Sequence, residues 1–359
     1  MMEHRFVRQN ANEAMDTTEL RVSADDLRGL ATKILRSVGT SQADATVVAN
    51  SLVRANLLGH DSHGVRRLTG YVEEARAGRI DPTAGPKAET TRPGTVVVHG
   101  RRAFGQVAAE HAVRELRQVV AAQGSGVAAI RECNHVGRLG EYVGTLAEHD
   151  LVALAFGNAD PTVAPYGGRE RRLGTNPLAW AVPRGTGSPP VVMDWATSGV
   201  AEGKLAVARG RGEQVASGLL LDADGRVSTE PADFYGGGAL LPFGGHKGYG
   251  LSVLIEVVGG LLSATGIGSL PGYTGGFGTV LVAFDIRAFT SAEDFREQTE
   301  LFCRELAHTG PAEGHREVLV PGELEERVRL ERGRNGIPIS EDTWHELHAL
   351  LPPKEEREP

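Results

Sequence analysis

Gly124-Ser125-Gly126-Val127-Ala128-Ala129 matches the pattern GxGxxA, and its reading decides the fold. In a doubly wound dinucleotide-binding fold the pattern follows a strand and opens a helix whose first N–H groups meet a pyrophosphate. Here the order is reversed. Phe104 to Gln123 has the apolar spacing of a long amphipathic helix, and Val127 to Ile130 is an apolar run suited to a buried strand. Gly124 is therefore a helix-closing glycine, and the match is rejected.

Working outward, the spacing predicts strands at Thr95–Val98, Leu151–Phe156, Leu178–Val182, Val191–Met193 and Thr279–Ile286. Towards the N-terminus, Ser23 with Asp26 and Ser41 with Asp44 read as capped helix starts, and a third helix is expected from about Gly64 to Gly78. Gly248–Ala264 reads as an apolar helix, Ser291 caps one reaching His308, and Glu323–Arg332 and Glu341–Leu350 follow, with Ser340 as a cap. After Leu151 strands and helices do not alternate, so a mixed sheet of α+β type is expected. The expected division is a disordered extension (1–17), a helical lobe (18–82, joined by 290–350), a mixed-sheet lobe (83–289) and a tail (351–359).

The chain has 359 residues, 47 glycines and a formal charge of −8, with no long basic run, which argues against a nucleic-acid scaffold. Cys133 and Cys303 stand alone, without a CxxC, so neither a structural disulfide nor a zinc knuckle is expected. No stretch has the apolar length of a membrane span or the pattern of a signal peptide. The reading is a cytoplasmic protein.

The chemistry concentrates in a few turns. Asp61-Ser62-His63-Gly64-Val65-Arg66-Arg67 puts a hydroxyl, an imidazole and two guanidinium groups where an apolar helix breaks at Gly59. Imidazole exchanges protons near neutrality, and guanidinium offers a planar fork to a carboxylate. A proton donor beside a carboxylate anchor suits reduction of a 2-oxo acid. The plainer readings are Ser62 as a helix cap and His63 as a satisfied core histidine. His60 and His63 lack a third ligand nearby, so no metal site is expected. Gly244-Gly245-His246-Lys247-Gly248 precedes an apolar helix, and a glycine turn there exposes N–H groups that favour an anion. It is either a phosphate or nicotinamide contact or a tight turn with a solvated lysine. Asn134-His135-Val136-Gly137 follows a strand, Gly174-Thr175-Asn176-Pro177 leads into one, and Asp194 stands just after one. Each could line a cleft or be an ordinary turn or cap.

Taken in order, SHGVRR (62–67), NHVG (134–137), PYGG (165–168), GTNPLAWAVP (174–183), MDWATS (193–198), GHKGYGL (245–251) and VPGE (320–323) resemble the type-2 malate/L-lactate dehydrogenases. That family includes ureidoglycolate dehydrogenases, 2,3-diketo-L-gulonate reductases, Δ1-piperideine-2-carboxylate reductases and sulfolactate dehydrogenases. The likeness runs roughly from Ser23 to Leu350. It implies NAD or NADP bound on a non-Rossmann mixed-sheet lobe, a helical lobe made from both chain ends, and a homodimer.

By resemblance, His63 is the proton donor with Ser62 and Asp194 as its relay, and His135 matches the catalytic histidine of the ureidoglycolate branch. Asn134, Thr175, Asn176, Asp194, Trp195, Ala196, His246, Lys247, Gly322 and Glu323 fall on cofactor-contact segments. Ala159 stands where the ureidoglycolate branch has a serine, which disfavours that branch. Arg67 is the expected carboxylate anchor, and Arg66 faces solvent. The expected reaction is hydride transfer between a nicotinamide and C2 of a small 2-hydroxy or 2-oxo acid, without a metal, membrane or nucleic-acid partner. The alternatives are reduction of a cyclic 2-imino acid, ureidoglycolate oxidation, and, from another class, a noncatalytic small-anion binder.

Overall fold

Seven strands form the central sheet of the computed structural model, which describes residues 19–352. The expected extension (1–17) lies outside the described residues, as does most of the expected tail. In chain order the elements begin with β1 (Glu19–Val22), α1 (Ala24–Ser37), α2 (Gln42–Leu57), a 3₁₀ turn (Asp61–His63), α3 (Arg67–Arg76), β2 (Lys87–Arg92) and β3 (Thr95–His99). There follow α4 (Gly105–Gln123), β4 (Ser125–Arg131), α5 (Leu139–Ala147), β5 (Leu151–Gly157), β6 (Leu178–Val182) and β7 (Val191–Trp195). A small insertion holds α6 (Glu202–Gly210), β8 (Leu220–Leu221), β9 (Val227–Ser228), α7 (Pro231–Tyr235) and β10 (Ala239–Leu240). The chain ends with α8 (His246–Ile255), a π-helical turn (Glu256–Leu262), β11 (Thr279–Asp285), α9 (Ala292–Ala307), α10 (Glu323–Asn335), β12 (Ile337–Ser340) and α11 (Glu341–Ala349).

The central sheet runs β2-β3-β4-β11-β5-β6-β7 and is mixed: β3 and β4 are parallel, the other pairs antiparallel. Its core lies between the β3–β6 strands and helices α4 and α5, with Leu116, Ile130, Leu139, Leu146 and Leu281 buried. Gly124 takes a φ of 78° and closes α4, so the glycine fingerprint does open a strand. Gly126 packs so tightly on α4 that a Cβ would sit 3.0 Å from Leu116 and Val119.

A second core joins the two chain ends. Leu27, Ile34, Leu52 and Leu68 from α1–α3 bury against Ile337, Ile339 and Leu347, and β1 pairs antiparallel with β12. The first three helices thus share one core with β12 and α11, and α10 reaches it through Arg332, which bonds Asp61. Helix α9 departs from it. Its Cys303 packs with Val191 and Val320, and its Glu300 meets Arg184 at 2.8 Å, so α9 lies on the β6–β7 edge of the sheet.

Three further departures matter for the site. The third helix begins at Arg67 instead of Gly64, because the chain first makes the 3₁₀ turn and Gly64 is extended. Asp194 lies within β7, paired with Ala179, and does not follow the strand. The apolar segment expected as one helix widens at Glu256 into a π-helical turn, where Gly259 packs so closely that a Cβ would lie 2.7 Å from the Asn158 nitrogen.

Candidate active site

The turn that carries His63 is braced from both chain ends. Asn56 of α2 accepts from the Val65 N–H at 2.9 Å and donates to Asp61 at 2.6 Å. Arg332 of α10 holds Asp61 with two bonds, at 2.7 and 3.0 Å, and also reaches the Asn56 carbonyl. Gly64 passes so close to Asn56 that a Cβ would lie 2.2 Å from its side-chain oxygen, so only glycine fits. Ser62 does not cap a helix. Its hydroxyl bonds the His63 Nδ1 at 3.0 Å, leaving Nε2 as the open ring nitrogen. Helix α6 covers Ser62 through Gly203, where a Cβ would meet the serine Cβ at 2.8 Å.

His135 approaches from the turn after β4, its ring centroid 5.5 Å from that of His63. Asn134, beside it, ties the turn down by donating to the Arg102 and Ala103 carbonyls, both at 2.9 Å. Phe277 packs edge-on against the His135 ring at 5.5 Å. Two guanidinium groups face this pair. Arg67 donates its Nε to the Ser62 carbonyl at 2.8 Å and meets no carboxylate among the described residues, while Arg66 is exposed. Arg138, only 8% exposed, has a buried Nε with no hydrogen-bond partner and lies 3.9 Å from Asp194.

This surrounding charge tells on the imidazoles. Burial pushes His63 down to about 4, helped by Arg67 and Arg138. Burial, with Arg67 and His63, holds His135 well below the ordinary histidine value. His60 falls to about 3 through burial, then Arg138, His63, Lys204 and Arg332. All three rings are neutral at physiological pH, in a pocket that carries positive charge.

Asp194 accepts from the Gly140 N–H at 2.8 Å, so it ties β7 to α5; its bond does not go to Ser62. Burial pushes its carboxyl up, and Arg138 and the Gly140 N–H pull it back. The relay expected from Asp194 through Ser62 thus has its serine–histidine half as a hydrogen bond, while Asp194 is joined to the site by Arg138.

Several of the segments expected to contact a cofactor meet one another. Thr197 donates to the Thr175 and Asn176 carbonyls at 3.1 and 3.0 Å, and Phe243 donates to the Thr197 carbonyl at 3.0 Å. These bonds bring Trp195 and Ala196, Thr175, and the start of α8 into one cluster. At that start Gly245 has a φ of 63° and supplies no side-chain cap, and the first N–H bonded back into the helix is that of Tyr249. The amides of His246, Lys247 and Gly248 are left open, with Lys247 exposed beside them. That donor set fits a phosphate of a nicotinamide dinucleotide.

Two expected contacts are engaged elsewhere. Asn176 is fully buried, donates to Glu256 at 2.5 Å and to Ser252, and accepts from the Ala159 N–H, so its side chain is a strut between β6 and α8. Glu323 bonds Arg184 at 3.3 Å and the Val320 N–H at 3.0 Å, which fixes the turn holding Gly322 against Val192. Arg138, Tyr71 and Gln106 were not singled out from sequence. Arg138 directly follows the NHVG segment, which was a signal; Tyr71 and Gln106 lie on regular amphipathic helices, where nothing separates them from core residues. Among the described residues no group of three or more His, Cys, Asp or Glu side chains is placed to hold a metal.

A family model described as malate/L-lactate dehydrogenase matches residues 22–348. A malate dehydrogenase of Pyrococcus abyssi is 32% identical over 352 residues, covering 94% of this chain and 95% of its own. A malate/(S)-sulfolactate dehydrogenase of Methanothermus fervidus is 32% identical, covering 92% and 96%. The crystal structure of a Δ1-piperideine-2-carboxylate reductase from Pseudomonas syringae pvar. tomato superposes with a TM-score of 0.83 at 31% identity, over 92% of this chain and 99% of that one.

Proposed function

We propose a division of labour among the site residues on the premise that this chain belongs to the malate/L-lactate dehydrogenase family, and is a dehydrogenase acting on hydroxy acids with a nicotinamide cofactor. When bound, the nicotinamide gives or takes the hydride at C2 of the substrate. The chain's residues must hold the 2-oxo or 2-hydroxy acid and manage one proton. The observation that carries the reading is the pair of imidazoles 5.5 Å apart, with Arg67 and Arg138 beside them.

Arg67 takes the substrate carboxylate, its Nε fixed on Ser62 and its outer nitrogens free for a forked contact. His63 exchanges the proton at the substrate oxygen through Nε2, since Ser62 occupies Nδ1. In the oxidative direction neutral His63 is a ready base. In the reductive direction an anionic substrate beside Arg67 and Arg138 offsets part of the field that disfavours imidazolium, so substrate binding itself favours the acid form. His135 faces the same oxygen from the other side. Lys247 and the open amides of α8 hold phosphate of NAD or NADP.

Other features of the chain support a paired enzyme. Val253, Leu254, Val257, Leu261 and Leu262 form an exposed apolar face along α8 and the π-helical turn, and we assign it to a homodimer interface. Cys133 and Cys303 are both free and buried, which suits a reducing cytoplasm. Among the described residues no helix is long and apolar enough to cross a membrane.

The likeness to a cyclic-imine reductase favours one second reading, in which His63 protonates nitrogen instead of oxygen. Steady-state assays with a panel of 2-oxo acids and cyclic 2-imino acids, each with NADH and NADPH, separate the two. The first reading expects the highest kcat/KM on a 2-oxo acid; turnover of imino acids alone would sink it.

A further inference from the structure

Behind His135 lies a buried chain of hydrogen bonds that nothing in the reaction above uses. Tyr71 of α3, 7% exposed, bonds the His135 Nδ1 through its hydroxyl at 2.8 Å. Gln106 of α4, 1% exposed, donates its carboxamide nitrogen to the same hydroxyl, also at 2.8 Å. The chain has a direction. A phenol has one proton and the carboxamide nitrogen can only donate, so the Tyr71 oxygen accepts from Gln106 and its proton goes to His135. Nδ1 of His135 then accepts, and the single proton of the neutral ring sits on Nε2.

We propose that Tyr71 and Gln106 are positioning residues that lock His135 in the Nε2–H tautomer, making it a fixed hydrogen-bond donor to the substrate oxygen. The proposal rests on the reading that the substrate oxygen lies between His63 and His135. His135 keeps its proton throughout; it stabilises the negative charge that develops on oxygen, while the transferred proton belongs to His63. The other tautomer would turn a lone pair toward that charge. Burial keeps each part in its state. The Tyr71 phenol is pushed up to about 12 and does not ionise, and the Arg67 and His63 environment adds to burial in keeping His135 neutral. The packing is specific. Tyr71 lies against Phe104 at 6.0 Å between centroids. Gly105, next to Gln106, lets α4 close on the His135 backbone, where a Cβ would lie 2.3 Å from the carbonyl oxygen.

The test begins with the resting wild-type enzyme, labelled with ¹⁵N-histidine and examined by NMR at pH 7. The expected result is a His135 ring with a protonated Nε2 and an unprotonated Nδ1; a protonated Nδ1 would overturn the proposal. This reading needs no turnover, so it stands or falls separately from the substrate assignment. Tyr71→Phe keeps the ring and its packing but removes the donor. It is expected to release the tautomer and lower kcat roughly 10- to 100-fold, within the usual range of a single positioned proton or hydrogen-bond group, with cofactor KM little changed. Gln106→Glu at pH 8.5 presents an acceptor of the same shape, so Tyr71 must donate to it and accept from His135, and the Nδ1–H tautomer should appear. A His135 that keeps Nε2–H and full kcat in both variants would show that the chain merely packs the core.

Discussion

At the level of single side chains, the proposed function separates groups that meet substrate from groups that hold them. His63→Ala should lower kcat by ~10²-fold or more while cofactor affinity, read by quenching or energy-transfer fluorescence of NADH or NADPH, stays near wild type. Near-normal kcat would move the proton to another group. Arg67→Lys should raise KM for a 2-oxo acid strongly, because an ammonium cannot reproduce the fork and loses the Nε bond that holds Arg67 on Ser62. Arg66→Lys should be close to silent, since Arg66 is exposed. Equal effects of the two substitutions in steady-state kinetics would place the carboxylate elsewhere. The serine, the two histidines and Arg67 were legible in the sequence because polar groups crowd into short turns there. Arg138 was harder to see. Its importance comes from being buried beside Asp194 with an unpartnered Nε, and burial of a charge is a property of the fold.

At the level of elements, turns and caps were legible wherever local chemistry decides them. The Ser23, Ser41, Ser291 and Ser340 caps each accept the expected N–H, and the mixed sheet follows from runs of apolar residues. What the sequence hid was decided by tertiary contact. Leu139–Ala147 is a helix whose first turn is pinned by Asp194, 54 residues away, and β2 is an exposed strand with no apolar signature, held by pairing to β3. The late start of α3 has the same cause: Asn56 claims the Val65 N–H and pulls the chain out of helix. Gly64→Ala should therefore be costly. The added methyl would displace Asn56, release Asp61 and Val65 and loosen the His63 turn, with a loss of roughly 2–4 kcal/mol expected for a lost buried hydrogen-bond network plus overpacking. Urea denaturation followed by circular dichroism checks this, and an unchanged midpoint would mean that the turn can relax. At the start of α8 the opposite holds. Lys247 is exposed, so Lys247→Ala should leave the melting temperature unchanged and weaken NAD(P)H binding. Identical titration curves would make it a surface lysine.

At the level of the whole molecule, helices from both chain ends and the sheet close around three histidines that stay neutral, and this couples the site to global stability. In the unfolded chain each imidazole takes up a proton as pH falls through about 6.5. In the folded protein His63 resists until about 4 and His60 until about 3, and His135 is also well depressed. Between those values the unfolded state binds more protons than the folded one, so acid draws the equilibrium toward unfolding. Above pH 6.5 both states are neutral at these positions and the effect vanishes. At pH 5 the unfolded forms are charged and the folded ones are not, which is worth at most roughly 2 kcal/mol for each histidine. Two buried carboxyls act in the other sense. Asp194 and Glu141 are raised by burial, so the folded state takes up their protons first as pH falls, which offsets part of the histidine effect. The denaturation midpoint should therefore drop between pH 7.5 and pH 5, before carboxylates dominate. His60→Gln should flatten that slope, since His60 is depressed further than His63 and has a buried Nε2 without a hydrogen-bond partner. A midpoint independent of pH across that window would mean that the lobes open enough for the histidines to charge without unfolding, and that the cleft is wetter than its packing implies.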